Sequence, residues 1–387
     1  VTNAATRART AVAVTFALNG FAFATWVSRI PQVRADLGLG NGELGLLLLV
    51  LSAGSVGTLL GSGVLIQRWG AAEIVRVGVV LVAVGLLLAG LGVAVAGSVG
   101  LAAAGLLLYG SGVGVWDVAM NVEGAAVEQR LGRSVMPRFH AAFSLGTVAG
   151  AGVGALTLGP GVPMTWHLGG VAAVTAAVAL PGTRSFLVAH AEPGVSEVRS
   201  AWRAWLEPRT LLVGLMVLSL AFTEGTANDW LVLALIDGFA MPAWAGVLGF
   251  AVFVTAMTTG RVVGPVVLDR YGRVPVLRAT IGLAVVGVLL LAVPVPGLWV
   301  AGPVLWGLGA SLGFPVGMSA AADDPAHAAS RVAVVSAIAY TAFLAGPPLL
   351  GFLADRVGTL RALLVVAVLL VPSLLAVPSA REPEPVR

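Results

Sequence analysis

The sequence predicts an all-α membrane protein of twelve transmembrane helices, arranged as two six-helix halves, each built from inverted three-helix repeats. Three observations predict it. Of 387 residues, 58% are hydrophobic and only 10% are charged, too little polar surface for a water-soluble chain of this length. Apolar segments long enough to cross a bilayer recur from one end to the other. Short motifs return at places that correspond between the two halves.

The spans fall at about 10–31, 43–66, 74–96, 99–126, 137–158, 164–181, 209–235, 244–268, 274–293, 298–320, 331–353 and 359–378, most of them close to the roughly 20 residues that cross a hydrocarbon core. Gly110, Gly112, Gly114, Pro315, Pro347 and Pro348 lie inside spans, where such residues permit close helix packing and kinks. The longest polar stretch divides six spans from six. Residues 1–181 are thus read as the N-terminal half, 182–208 as a cytoplasmic linker and 209–387 as the C-terminal half. Within the linker, SEVRSAWRAWLE (196–207) has the pattern of a short interfacial helix, with Val198, Trp202 and Trp205 towards lipid and Arg199 and Arg203 towards headgroups. A plain flexible linker is the alternative.

Charge sets the topology. Every basic residue is arginine, and most lie in alternate short loops; Arg29, Arg34, Arg356 and Arg361 alone fall on the opposite side. That bias predicts a multi-pass protein of the cytoplasmic (inner) membrane with both termini cytoplasmic. The net charge of +4 is therefore a topology signal, and no nucleic-acid partner is expected. No cleavable signal segment is expected before the first span. With no cysteine, disulfides, thiolate metal sites and thiol chemistry are excluded. No H-E-x-x-H or other metal spacing and no Walker motif occurs. The glycines at 110–114 follow no strand and are not a dinucleotide loop. No cofactor is expected, and no nucleophile–base pair suggests an enzyme.

The repeats are specific. GVLIQRWG (63–70) ends span 2, LDRYGR (268–273) ends span 8, and GFLADRVG (351–358) ends span 11. GSGVGVWDVAMN (110–121) and GLGASLGFPVGMS (307–319) match each other in spans 4 and 10. Spans 2 and 8, and 4 and 10, are equivalent in two halves; span 11 is the counterpart of span 2 in an inverted three-helix unit. Many secondary transporters are built this way, with a site near the membrane midplane.

The G-x-x-x-D-R-x-G pattern resembles the signature loop of the major facilitator superfamily, although Gln67 stands at an acidic position and Pro265 at the first glycine. FALNGFAFATWVSRIP, DVAMN followed by GRSVMPRFHAAFSLG, EGTANDW, TTGRVVG and AYTAFLAGPPLLGFLAD resemble the YbjJ-type branch of that superfamily, which is related to bacterial fucose–proton symporters. The resemblance implies a major facilitator fold around a central cavity and transport by alternating access. It places Asp117 on the helix-4 carboxylate of the symporters and Asn121 on their asparagine. Where the symporters carry an aspartate in helix 1, this chain has Val27, with Asn19 the nearest polar group. Fucose itself and a two-carboxylate coupling scheme are therefore not implied.

Asp117 and Glu224 are carboxylates deep in apolar segments. An ionisable group there faces a polar cavity or finds a partner, and is a functional candidate for that reason. Both are candidate proton-coupling residues, because loss of water favours the neutral form of a carboxyl group. For Asp117 the alternative is a structural hydrogen bond to Asn121 one turn away. Glu224 and Asn228 share a helix face, and with Asn121, Asp229 and the wall of Trp230 they suit a hydroxyl-rich solute. Asp229 is expected further outward, touching solute or pairing with Arg29 as a gate. Arg261, the basic residue well inside a span, needs a carboxylate or carbonyl from another helix. His140, beside Arg138 and Ser144, is a candidate proton relay or a local hydrogen-bonder. Glu123 is a candidate relay or faces cytoplasmic water. Asn19, Trp26, Trp116, Trp306, Phe314 and Tyr340 are candidate cavity liners, with packing as the alternative.

The function expected is secondary active transport of a small polar organic solute, sugar-like in preference, coupled to protons. The alternatives are a proton-driven exporter of drugs or metabolites and a non-transporting membrane receptor or scaffold. The partners expected are a small-molecule solute, protons and the lipid bilayer, with the chain acting as a monomer.

Overall fold

The computed structural model describes residues 3–132, 135–187, 204–293, 295, 298–324 and 327–382. Among the described residues the regular structure is entirely helical. The first half supplies α1 (Asn3–Asp36), α2 (Asn41–Trp69), α3 (Ala71–Ala94), α4 (Val99–Leu131), α5 (Met136–Leu158) and α6 (Met164–Gly182). The second supplies α7 (Pro208–Phe239), α8 (Ala243–Tyr271), α9 (Arg273–Leu291), α10 (Leu298–Ala310), α11 (Gly313–Ala321), α12 (Ala328–Val357), α13 (Thr359–Ala362) and α14 (Leu364–Ala376). Together they make 12 segments long and apolar enough to cross a membrane, so the chain is a multi-pass membrane protein. Most of the proposed interfacial helix at 196–207 lies outside the described residues.

The chain forms two compact units: Val1–Pro193 with Ala243–Ala251, and Gly194–Pro242 with Val252–Arg387. In lipid, helices gain little from burying apolar surface against each other, so how closely they approach is set by small residues. In the first unit the approach is made through α4. A Cβ at Gly105 would run into the backbone of Ala89 on α3, and one at Gly112 would lie 2.7 Å from the Gly78 carbonyl. On another face of α4, a Cβ at Gly110 would strike the Leu51 carbonyl of α2, and one at Gly114 the Ser55 carbonyl. Thr58 Oγ1 then donates across this seam to the Ser111 carbonyl at 3.0 Å.

The second unit repeats the plan. Gly302 and Gly309 of α10 meet Gly287 and Ala284 of α9, and a Cβ at Gly307 would strike the Phe253 carbonyl of α8. The matched segments of spans 4 and 10 thus carry equivalent contacts, Gly110 against Leu51 and Gly307 against Phe253. The three signature loops also share one geometry. Gly70, Gly272 and Gly358 have φ of 82°, 75° and 86° with ψ of 155°, 168° and 152°, a region open essentially to glycine alone. Each returns its N–H to the carbonyl four residues back, at 2.8 Å. Arg68 and Arg270 lie over the neighbouring rings of Trp69 and Tyr271, at 5.7 and 5.3 Å.

The span expected at 298–320 is present as one membrane segment, Trp299–Ala321, and its helix is interrupted at Ser311–Leu312 between α10 and α11. Pro315 is the physical reason. A proline has no N–H to offer the carbonyl four residues earlier, and its ring crowds that carbonyl; here the carbonyl is that of Ser311. In α4 the equivalent residue is Val118, and the helix runs unbroken.

Gly110→Ala should destabilise the purified protein by about 1–3 kcal/mol, the usual cost of overpacking. Gly57→Ala, where a Cβ meets nothing within 4 Å, should hold or slightly raise the melting temperature in detergent. Equal behaviour of the two variants would contradict the packing account.

Candidate functional site

The second unit builds its polar centre from three helices. Helix α7 starts on Pro208, which suits the first helical turn because the N–H it lacks would be unpaired there anyway. It carries Glu224 midway along its length. Arg261 comes from α8, and the carbonyl freed by Pro315 comes from the α10–α11 break. The Arg261 guanidinium joins them: Nη2 donates to Glu224 Oε1 at 3.1 Å and to Oε2 at 2.9 Å, while Nε donates to the Ser311 carbonyl at 3.3 Å. Arg261 was expected to need a carboxylate or a carbonyl from another helix, and it finds one of each.

Exposure decides how this pair is read. The Arg261 and Glu224 side chains keep 29% and 22% of their surface accessible. The pair is therefore screened more than a fully buried one, and its net worth is on the order of 1 kcal/mol. It also leaves charged, hydrogen-bonding surface open within apolar spans. Asn228 lies one turn along α7 from Glu224, half-buried like Asp229, and neither side chain forms a hydrogen bond among the described residues. The Trp230 ring beside them is fully packed, at 1% exposure.

The first unit holds a different polar centre. Asp117 of α4 is half-buried. Asn121 Nδ2 donates to the Asp117 backbone carbonyl at 2.8 Å and only at 3.4 Å to its Oδ1. Among the described residues no basic side chain forms an ion pair with Asp117. The two carboxylates are therefore unlike: Glu224 is held by a guanidinium, and Asp117 has one weak neutral donor.

Other candidates are placed differently from expectation. Trp26 packs against Tyr109 with ring centroids 6.3 Å apart, and Trp116 presses on Gly78 of α3. Both are buried. Trp306 is likewise buried, edge-on to Phe253 at 5.6 Å. Asn19 is buried with its amide nitrogen unpartnered, whereas Phe314 and Tyr340 are partly exposed. His140 is exposed and meets Phe16 edge-on at 5.3 Å. Glu123 does not face water. It is fully buried, and its Oε1 accepts the N–H of Leu187, which follows α6.

Arg29, a candidate gate, is only 1% exposed, and among the described residues no carboxylate forms an ion pair with it. Nε donates to His167 Nδ1 at 2.9 Å, Nη1 to Gln32 Oε1 at 2.7 Å, and Nη2 to Thr157 Oγ1 at 3.2 Å and to the Val162 carbonyl at 3.1 Å. Sequence reasoning missed His167, Thr157 and Ser311. Pro315, four residues after Ser311, was a usable signal; nothing local marked His167. Among the described residues no group of three or more His, Asp or Glu side chains could hold a metal ion.

The comparisons agree with this architecture. Residues 245–387 match the family model described as Major Facilitator Superfamily. The chain is 32% identical over 350 residues to an uncharacterised transporter, y4wD, of Sinorhizobium fredii, covering 89% of this chain and 90% of that one. The chain belongs to the major facilitator superfamily. Among solved structures, a mutant of the nucleoside transporter NupG superposes with a TM-score of 0.81 at 16% identity, over 98% of this chain and 100% of that one. A variant of the E. coli fucose:proton symporter FucP does so with a TM-score of 0.64 at 15% identity, over 97% and 98%. At these identities the likeness is one of fold.

A double-mutant cycle on Glu224→Gln and Arg261→Gln should give a coupling energy of about 1 kcal/mol, towards the low end for side chains in contact because the pair is partly solvated. Additive losses in thermal unfolding would mean that the pair does not form.

Proposed function

We propose that this chain is a secondary active transporter of a small polar organic solute, rich in hydroxyl groups, which it moves by alternating access at the expense of a proton gradient. The observation that carries this reading is the partly open Glu224–Arg261 pair beside Asn228. Together these side chains offer acceptors and donors at fixed spacing within apolar helices, which is what orients a hydroxyl-bearing solute. Charged groups in spans are retained where they serve a pathway or a bound solute. The relatives named above add support, since a nucleoside and fucose both carry sugar hydroxyls.

The two carboxylates divide the work in this reading. Glu224 is neutralised by Arg261 and acts on the solute, with Asn228 and Asp229. Asp117, with no cationic partner among the described residues, takes up and releases the proton, and Asn121 steadies it. This revises the expectation that Glu224 also carries protons. The arginine bias supports a cytoplasmic-membrane location with both termini inside, and transport by a monomer needs no further subunit.

A thermal-shift screen of the purified protein with sugars, polyols, nucleosides, amino acids and drug-like cations tests the solute class. A hydroxyl-rich compound should raise the melting temperature, Glu224→Gln should abolish the shift, and Asp117→Asn should keep it. A shift given only by apolar cations would favour the exporter instead.

A further inference from the structure

The Arg29–His167 contact has a chemical consequence. An imidazole nitrogen that accepts an N–H must present its lone pair, so Nδ1 carries no proton. The ring proton then sits on Nε2, and His167 is the neutral tautomer. Nε2 is buried with no partner among the described residues, and the residue is 5% exposed. Arg29 is thus a buried cation whose direct acceptors are all neutral. Its charge is compensated at one remove, since Gln32 Nε2 donates to Asp36 Oδ2 at 3.1 Å. The order His167, Arg29, Gln32, Asp36 runs from a buried imidazole to an exposed carboxylate at the end of α1.

We propose that His167 is a proton-binding site whose occupancy excludes the present position of Arg29. A proton added to the Nδ1 lone pair removes the acceptor of the Arg29 Nε–H bond and sets an imidazolium against a guanidinium. The bond breaks, and Arg29 turns along α1 towards Gln32 and Asp36. Arg29 is also what ties three helix ends together, through His167 on α6, Thr157 on α5 and Val162 in the loop between them. Proton uptake therefore loosens this end of the first unit.

The Arg29 guanidinium itself opposes the added charge; among the described residues of this unit no other ionisable side chain contacts the ring. On α1 the ionisable neighbours are Arg34, which donates to Asn41, and Asp36. α3 packs along α6, but its Glu73 and Arg76 are at the other end, where Arg76 binds Thr183. α5 carries Arg138 and His140 in its first turns, far from Thr157 in its last. α4 brings Tyr109, packed on Trp26. The loop 159–163 has no ionisable side chain. Under the proposed topology this end faces outward, the acidic side of an energised membrane. The inference goes beyond the solute reading and is testable without a solute.

The test is hydrogen exchange on the full chain in detergent, for the segment 155–168, from about pH 8 to about pH 3.5, a range carried below ordinary imidazole titration because the Arg29 guanidinium opposes a second charge beside it. After correction for intrinsic rates, exchange in the wild type should rise about tenfold on acidification as local opening becomes easier. His167→Gln keeps an acceptor for Arg29 but cannot take a proton, so its exchange should not depend on pH. An equal rise in His167→Gln would overturn the proposal. Should that variant fail to fold, 15N-histidine NMR of the wild type decides: an unprotonated Nδ1 at neutral pH is expected, and an Nδ1–H tautomer would overturn the proposal.

Discussion

The second unit depends on the carbonyl of Ser311. Pro315 denies that carbonyl its helical N–H, and an orphaned carbonyl among apolar helices costs several kcal/mol unless another donor reaches it. Arg261 is that donor. Once a guanidinium is committed there, its charge needs a carboxylate, which Glu224 provides. One proline thus sets the sequence of requirements that places an ion pair in the middle of apolar spans. A salt bridge of this exposure adds little stability; in the proposed function it orients a solute.

The first unit has the same packing frame without that break. Gly105 and Gly112 face one neighbouring helix and Gly110 another, as Gly302, Gly309 and Gly307 do in the second unit. Close backbone approach fixes the frame, and single positions then set the chemistry. Gly114 stands where Ser311 does, Val118 where Pro315 does, and Asp117 where Phe314 does. The duplicated scaffold therefore holds, among the described residues, a carboxyl with no cationic partner in one half and a compensated pair in the other.

Much of the fold was legible in the sequence, because span length and glycine placement are local properties. The break at Ser311 was legible from Pro315, since a proline within a span is a place for a kink. The superfamily was legible from the signature loops, whose glycines share one backbone geometry. The site was less so. Asp117 and Glu224 stood out by their surroundings in sequence, whereas the partners of Glu224 and Arg29 come from residues distant in the chain. For the tryptophans the sequence left cavity lining and packing both open, because composition does not reveal that Trp116 faces Gly78. His167 was silent for the same reason: only the fold brings Arg29 to its Nδ1.

The division of labour between the two carboxylates is the central claim. The measurement that tests it most directly compares two modes of solute movement by Asp117→Asn in proteoliposomes, using the hydroxyl-rich solute that stabilises the wild type. Exchange of labelled for unlabelled solute without a gradient should persist, while accumulation driven by an imposed proton gradient should be lost. Proton-driven accumulation by this variant at the wild-type rate would contradict the account.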